Sequence, residues 1–290
     1  MEKRIKLAAK SAIIFCAVIW GGSFVLVKTV AGVHGPGFIL AVRFTVASVL
    51  IAFTFRKRLK NLDKQCVTHG VMVGVAIFSG FLCQTTGLLF TEASKSSFLS
   101  TTYCILTPFV YWIITKNKPE PNHFIAGAVC LTGIGFVSLK SSFTISFGDS
   151  ITLLSGVFYA VEIALLSTLC RRDDMMMVTL VEMIVSSVLA WIYVAFTETL
   201  PAVITLPELA AIAYIAVLGT FVGLSLQNWA QKYVDSAESA LLLAFESISG
   251  AVMGVIFLGE GLTPRLIVGF GLIFLSVVVS EVGTETVIER

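Results

Sequence analysis

The stretch of sequence that decides the fold occurs twice: residues 42–50 read VRFTVASVL, and residues 181–189 read VEMIVSSVL. Both copies lie within long apolar runs, separated by about 140 residues, which is close to half of the chain. Further matches recur at nearly the same separation, because Gly80 and Gln84 lie over Gly223 and Gln227. The chain is therefore predicted to contain an internal duplication.

The composition places this duplication in a membrane. Of the 290 residues, 57% are hydrophobic and only 13% are charged, whereas a soluble domain carries about 25% charged residues. A helix needs about 20 apolar residues to cross the hydrocarbon core. The predicted fold class is an all-α polytopic membrane protein with ten transmembrane helices, at residues 8–30, 37–55, 67–90, 94–115, 122–140, 147–170, 174–197, 206–231, 236–258 and 263–282.

Each half of the duplication contains five predicted spans. An odd number of spans forces the two halves to enter the membrane in opposite directions, which is the arrangement of inverted-repeat transporters. The predicted halves are residues 1–143 and 144–290, two pieces of one helical bundle. Such an arrangement favours transport by alternating access.

The distribution of basic residues predicts the orientation. Most of the 20 Lys and Arg residues fall at the N-terminus, in the loop of residues 56–64 and in other connections on the same side. Because short cytoplasmic loops are enriched in Lys and Arg, both termini are predicted to lie in the cytoplasm. The predicted location is the inner (cytoplasmic) membrane, with the basic start continuing into an uncleaved first span.

Several short motifs follow one another in a characteristic order. They are WGGSF at 20–24 with Lys28, Arg43-Phe44, ASKSSFL at 93–99 leading to Thr107-Pro108, SAESALL at 236–242, Glu246, and Gly259-Glu260. In order and spacing they resemble the EamA family of the drug/metabolite transporter superfamily, over essentially the whole chain. The chain departs from the family pattern at Glu246-Ser247, where Glu-Pro is usual, and at Asn117-Lys118, where Gly-Glu would be expected.

The resemblance implies a carrier that moves small metabolites, often amino acids, out of bacteria without an ATPase partner. It also implies a central cavity lined by spans one, three, four, six, eight and nine. The predicted function is therefore export of small metabolites by alternating access, with proton coupling as an option. The alternatives are an intramembrane lipid-modifying enzyme and a non-transporting membrane partner protein.

Ionisable residues within the predicted spans are the first candidates for function, because a charge at a helix centre costs about 2.5–3.5 kcal/mol on insertion scales. Glu246, Glu162 and Glu182 are the proton-coupling candidates. The alternative for each is a neutral, hydrogen-bonded acid that joins two helices. Arg43 is predicted to be a structural charge that binds carbonyls or a carboxylate, with direct substrate contact as the alternative.

The predicted substrate-binding residues combine carboxyl, amide, hydroxyl and aromatic groups. Trp20 and Tyr159 lie too deep for the aromatic belt at the interface, and the amides could instead join helices through hydrogen bonds. The predicted cavity residues are Trp20, Gln84, Ser100, Tyr103, Tyr159, Glu162, Gln227, Asn228 and Glu246.

The sequence lacks the motifs of several other protein classes. The sequence contains no phosphate-binding loop, no H-E-x-x-H pair and no G-x-S-x-G elbow. The six cysteines and three histidines are scattered, so no metal site, catalytic residue or cofactor is predicted. The expected partners are a small-molecule substrate, the lipid bilayer and protons, with no nucleic acid, and the protein is predicted to be a monomer or a homodimer.

Overall fold

The backbone is helical along nearly all of the described chain in the computed structural model, which describes residues 2–139, 145–170, 173–230, 233–234 and 242–282. These residues contain no β-strand, and an isolated bridge joins Leu139 to Ile145. The predicted boundary between residues 143 and 144 lies outside the described residues, as does most of the SAESALL motif.

The helices are numbered in chain order. They are α1 (Glu2–His34), α2 (Pro36–Thr54), α3 (Lys64–Leu88), α4 (Ala93–Ser100), α5 (Tyr103–Thr115), α6 (Pro121–Ser138), α7 (Phe147–Thr168), α8 (Met175–Thr197), α9 (Leu206–Tyr214), α10 (Gly223–Ala230), α11 (Phe245–Leu258) and α12 (Pro264–Val282). A 3₁₀ turn, Arg56–Asn61, connects α2 to α3, and a π-helical segment, Ile215–Val222, joins α9 to α10.

Within the described residues, eight helices are long and apolar enough to cross a membrane, counting α4 with α5 and α9 with α10 as one helix each. The remaining two, α11 and α12, are apolar but have shorter described lengths, and they occupy the positions of the ninth and tenth predicted spans. The structure is thus that of an all-helical, polytopic membrane protein. The number of ten spans stays a prediction.

The helix ends follow local sequence signals. Asp63, Ser146 and Asp174 each accept a hydrogen bond from a backbone N–H group in the first turn of the helix that follows. Such a cap satisfies a donor that has no partner inside the helix. Pro36 and Pro121 begin α2 and α6, where the missing N–H of proline costs nothing.

The predicted fourth span, residues 94–115, is interrupted between α4 and α5 at Thr101 and Thr102. The hydroxyls of Ser100, Thr101 and Thr102 all donate to backbone carbonyls three or four residues earlier. Hydroxyl groups that bond backward in this way compete with the helical ladder and bend it. Pro108 removes a further N–H donor from α5.

The helices pack around a central cavity. Helix α1 lies against α11, α2 against α8, α3 against α7 and α8, and α6 against α12. Helices α3 and α8 approach closely at Gly70 and Gly74, where an added Cβ would lie 2.6 Å from Val181 and 2.8 Å from Val185. The small residues therefore permit a contact that larger side chains would prevent.

Candidate functional site

The cavity lies between α1, α2, α3, α5, α7, α10 and α11, and the space between its atoms, part of it open to solvent, amounts to about 720 Å³. Most of its wall is apolar or aromatic, with a small number of polar groups, which is the usual make-up of a small-molecule site. The polar and aromatic side chains in its lining are Trp20, Ser23, Phe24, Arg43, Phe81, Gln84, Thr85, Tyr103, Tyr159, Glu162, Gln227 and Glu246.

Arg43 carries the positive charge of the cavity. Its side chain is 2% exposed, and its Nε donates a hydrogen bond to Thr220 Oγ1 at 2.8 Å. The guanidinium carbon lies 4.2 Å from the centre of the Phe81 ring, within the range of a cation–π contact. Among the described residues, Arg43 forms no ion pair with a carboxylate. A buried charge without a counter-ion is costly, so an anionic group in the cavity would be stabilised beside Arg43.

The π-helical segment fixes this part of the wall. The Thr220 hydroxyl donates to the carbonyl of Ile215, five residues earlier, at 2.8 Å. Trp20 Nε1, on α1, donates a hydrogen bond to the carbonyl of Gly219 in the same π-helical segment at 2.6 Å. Gly223 allows this approach, because an added Cβ would lie 2.8 Å from Trp20 Nε1. A π-helical turn frees backbone groups in this way and often occurs at functional sites.

Aromatic rings form a continuous wall beside Arg43. Phe81 contacts Phe44 and Tyr159 edge to face, each with ring centres 5.5 Å apart. Tyr159 in turn contacts Tyr103, with ring centres 6.0 Å apart. Such edge-to-face pairs fix the ring orientations, so the wall presents a rigid apolar surface to the cavity.

A line of hydrogen bonds orients the amide of Gln84. The Tyr159 hydroxyl donates to Gln84 Oε1 at 2.9 Å, and Gln84 Nε2 donates to Ser100 Oγ at 3.0 Å. Ser100 Oγ donates onward to the carbonyl of Ser96 at 2.8 Å. Ser100 is therefore behind the cavity wall rather than in it, and it supports Gln84.

Two carboxyl groups line the cavity. Glu246 lies in the first turn of α11 and is 8% exposed, and Glu162 on α7 is 3% exposed. No described residue donates a hydrogen bond to the Glu246 carboxyl group, and Glu162 Oε1 is buried without a partner. Because buried polar groups normally have hydrogen-bond partners, both are free to bind a ligand or a proton.

Glu182 and Asn228 lie apart from the cavity. Both are fully buried, and Asn228 Nδ2 donates to Thr179 Oγ1 at 2.6 Å. Among the described residues, neither oxygen of Glu182 accepts a hydrogen bond of ordinary geometry, but the amide of Asn228 lies near enough to interact with this carboxyl group. Glu182 also interacts electrostatically with Glu162. This polar cluster therefore lies behind the Glu162 side of the cavity.

One end of the bundle is held by Glu260, in the loop between α11 and α12. Its carboxylate accepts hydrogen bonds from the backbone N–H groups of Ala93 and Ser94, at 2.6 and 2.8 Å, and lies 3.3 Å from Lys28 Nζ. Burial alone would raise the pKa of Glu260, but these hydrogen bonds and the nearby Lys28 charge hold the pKa below its ordinary value.

The cavity brings together Trp20, Gln84, Tyr103, Tyr159, Glu162, Gln227 and Glu246 from the predicted site residues. It does not include Ser100, Asn228 or Glu182. It includes Arg43, which the sequence predicted to be a structural charge, so α2 contributes to the wall as well. Phe81 and Thr220 were missed, because a phenylalanine or threonine in an apolar run carries no signal of its own.

The sequence suggested no metal site, because its cysteines and histidines are scattered, and that stays a prediction. Among the described residues, the ligand atoms of His69, Cys170 and Asp173 all lie within 4.8 Å of one another. They come from α3 and from the connection between α7 and α8, away from the cavity lining.

Comparison with known proteins assigns a class to this fold and cavity. A chain of an archaeal "uncharacterized transporter" from Archaeoglobus fulgidus is 30% identical over 94% of this chain and 86% of its own length. A second transporter of that organism is 23% identical over 96% of this chain and 98% of its own. A solved structure titled "Crystal structure of protein" shares the fold, with a TM-score of 0.69 at 16% identity over 95% of this chain and 98% of its own.

The class is thus that of a multi-pass membrane transporter. The EamA-like transporter family matches residues 8–139 and matches a second time at residues 146–281. The chain belongs to this EamA-like transporter family, within the drug/metabolite transporter superfamily that the sequence motifs indicated. The family points to a transporter rather than an enzyme.

Proposed function

We propose that the protein exports small zwitterionic metabolites, amino acids or related compounds, through the central cavity by alternating access. One observation carries the proposal: the same lining presents the buried guanidinium of Arg43 and the buried carboxyl groups of Glu162 and Glu246, and among the described residues Arg43 has no carboxylate partner and Glu162 Oε1 has no hydrogen-bond donor. A zwitterion supplies a partner of the right charge for both kinds of group.

The chemistry of binding follows from these groups. A substrate carboxylate would lie against the guanidinium of Arg43, which forms strong charge-assisted hydrogen bonds. An ammonium group would lie against Glu246 or Glu162. The apolar part of the substrate would contact the aromatic wall of Phe81, Tyr103 and Tyr159. Gln84 and Gln227 would contribute amide hydrogen bonds.

Alternating access requires two inverted halves, and the helix contacts support such a pair in residues 1–143 and 144–290. Helix α1, the first span of the first half, packs on α11, the fourth span of the second half. In the reciprocal contact, α4 in the fourth span of the first half packs on α7, the first span of the second half. The first and third spans are related in the same way, because α1 packs on α10 in the second half and α3 packs on α7. The pairs α2 with α8 and α6 with α12 join equivalent spans. This reciprocity is what a two-fold axis through a ten-span bundle requires.

Proton coupling is part of the proposal. Glu246 and Glu162 line the cavity, and Glu182 is fully buried behind it beside Asn228. A carboxyl group that is charged in one state of the carrier and protonated in the other would tie substrate movement to the proton gradient. Ionisable residues inside transporters commonly serve in such relays.

The orientation of the protein in the membrane is inferred from the positions of its basic residues. The basic 3₁₀ turn Arg56–Asn61 would face the cytoplasm together with both termini, in the inner membrane. The bilayer would contact the large exposed apolar side chains, such as Phe53 and Phe196. Inverted halves make one chain sufficient, so a monomer is expected to be active whether or not a homodimer forms.

The test is efflux from proteoliposomes loaded with a mixed pool of amino acids and small metabolites, read by mass spectrometry against protein-free liposomes. Selective loss of zwitterions is expected. Arg43→Met should weaken the binding of carboxylate-bearing substrates to the carrier by about 10- to 100-fold, because hydrogen bonds to a charged group are lost. Their efflux should slow accordingly. Arg56→Met, in the exposed 3₁₀ turn, is the matched control and should not change transport.

Loss of only neutral or only cationic compounds would contradict the zwitterion proposal, as would normal transport by Arg43→Met. No loss of any compound under imposed ion gradients, from folded protein, would favour the enzyme or partner alternatives. The lipid-modifying enzyme would need a nucleophile and a base in contact. Among the described residues that line the cavity, none is a histidine, and Ser23 Oγ donates to the carbonyl of Ile19.

A further inference from the structure

A second cluster of reactive side chains lies at the end of the bundle where α3 begins and where α7 connects to α8. His69 Nδ1 and Asp173 Oδ2 are 2.7 Å apart, and the thiol of Cys170 lies with them in a group whose ligand atoms are all within 4.8 Å. Cys170 is fully buried, whereas His69 and Asp173 are half-buried. The proposed transport function uses none of these residues.

The three groups are of the types that bind zinc. An imidazole nitrogen, a thiolate sulfur and a carboxylate oxygen are all common Zn²⁺ ligands, held in a tetrahedron at about 2.0–2.3 Å from the metal. The ligand atoms of such a tetrahedron lie roughly 3.5 Å apart. His69 Nδ1 and Asp173 Oδ2 would need to separate from 2.7 Å to this distance, and the thiol to lie as close to both, as their hydrogen bond is exchanged for two bonds to the metal.

Cys66 lies nearby but outside this group. It stands one turn before His69 on α3, so both side chains project from the same face of the helix. Its thiol is not among the ligand atoms that lie within 4.8 Å of one another. The site therefore has three protein ligands, and the fourth position of a tetrahedron is open to water.

The surrounding charge suits a cation. Asp63 and Asp174 cap the starts of α3 and α8 and add negative charge to this end of the bundle. Arg58 and Asn61 bind the carboxylate of Asp174, which leaves Asp173 bound to His69. A divalent cation would balance the negative charge that remains when Cys170 loses its proton.

We propose that His69, Cys170 and Asp173 form a binding site for Zn²⁺ or another thiophilic divalent cation, with water as the fourth ligand. Binding releases the Cys170 thiol proton to solvent as the metal–sulfur bond forms. The site joins α3, which carries Phe81 and Gln84, to the end of α7, which carries Tyr159 and Glu162. Metal binding would therefore stabilise the packing of two cavity helices at this end. The proposal does not depend on what the cavity transports.

The test uses the purified full-length protein in detergent, stripped of metal by a chelator. Addition of Co²⁺ should produce the near-ultraviolet thiolate-to-cobalt absorption, and Zn²⁺ should displace it. Under the same conditions Zn²⁺ should raise the Tm in proportion to the logarithm of its concentration. Cys170→Ser and His69→Gln should weaken the band and abolish the Tm shift, while Cys130→Ser, buried in α6, should leave both unchanged.

Absence of the cobalt–thiolate band in the wild-type protein would overturn the proposal. So would a band and a Tm shift of wild-type size in Cys170→Ser. Should Cys170→Ser fail to fold, as judged by size-exclusion chromatography, His69→Gln decides alone. A full band and a full Tm shift in His69→Gln would then contradict the site.

Discussion

Glu260 and Lys28 lie 3.3 Å apart and join three parts of the bundle, because Glu260 also caps the first turn of α4. Lys28 completes the arrangement by donating to the carbonyl of Thr91 at 2.8 Å. The negative charge of Glu260 lies at the N-terminus of a helix, where the helix dipole favours it. The contact therefore joins α1, the start of α4 and the loop between α11 and α12.

Replacement of Glu260 by Gln should lower the free energy of unfolding by about 1–3 kcal/mol, since it removes a charged acceptor from two buried N–H donors. Lys28→Met should cost less, because its side chain is more exposed. In a double-mutant cycle measured by thermal unfolding in detergent, the double variant should lose less stability than the sum of the two single losses, which gives a non-zero coupling energy. Additive effects would show that the pair is independent.

The same contact predicts a dependence of stability on pH. The pKa of the Glu260 carboxyl group is held below its ordinary value of 4.5 in the folded state. Its contribution is therefore complete above the pKa of the unfolded chain and is lost as the pH falls through the lower, folded pKa. We expect the Tm of the wild-type protein to fall below about pH 4.5 more steeply than that of Glu260→Gln. Parallel curves would mean that other carboxyl groups dominate.

Proton coupling, if carried by Glu246, should disappear in Glu246→Gln. Efflux by the wild-type protein should respond to an imposed pH gradient, while the variant should transport at a rate that does not depend on it. Glu162→Gln and Glu182→Gln test the other two candidates in the same assay. Glu120→Gln, in the connection that precedes α6, is the control. An unaltered response in all three buried variants would exclude these carboxyl groups from coupling.

Removal of the Tyr159 hydroxyl should disturb the cavity without removing its aromatic wall. Tyr159→Phe keeps the contacts with Phe81 and Tyr103 but deletes the hydrogen bond to Gln84 Oε1. A typical hydrogen bond contributes about 0.5–1.5 kcal/mol, so substrate binding should weaken by about 2- to 10-fold with little change in Tm. Isothermal titration with the substrate identified in the efflux assay measures this. Equal binding by the variant would show that Gln84 needs no support.

The residues of the cavity show why sequence alone could predict part of the site. Glu162, Glu246 and Gln84 were predicted because a polar group in an apolar run costs free energy and so stands out. Phe81 was not, because it differs in no way from other apolar residues of its helix. Its role depends on the guanidinium of Arg43, which comes from a different helix. Asn228 stands out equally in the sequence, yet its side chain lies against Thr179 and not in the cavity.

The sequence by itself determined that the chain is helical and lies in a membrane, and it determined the repeat and the family. These properties depend on apolar content, on residue spacing along single helices and on short motifs, all of which are local. Only the tertiary structure decided which faces of the helices meet. It placed Arg43 in the cavity and Ser100 behind it, and it brought His69 on α3 to Cys170 at the end of the neighbouring α7. Such contacts depend on the rotation of each helix about its axis, which packing against its neighbours sets and an apolar run does not encode.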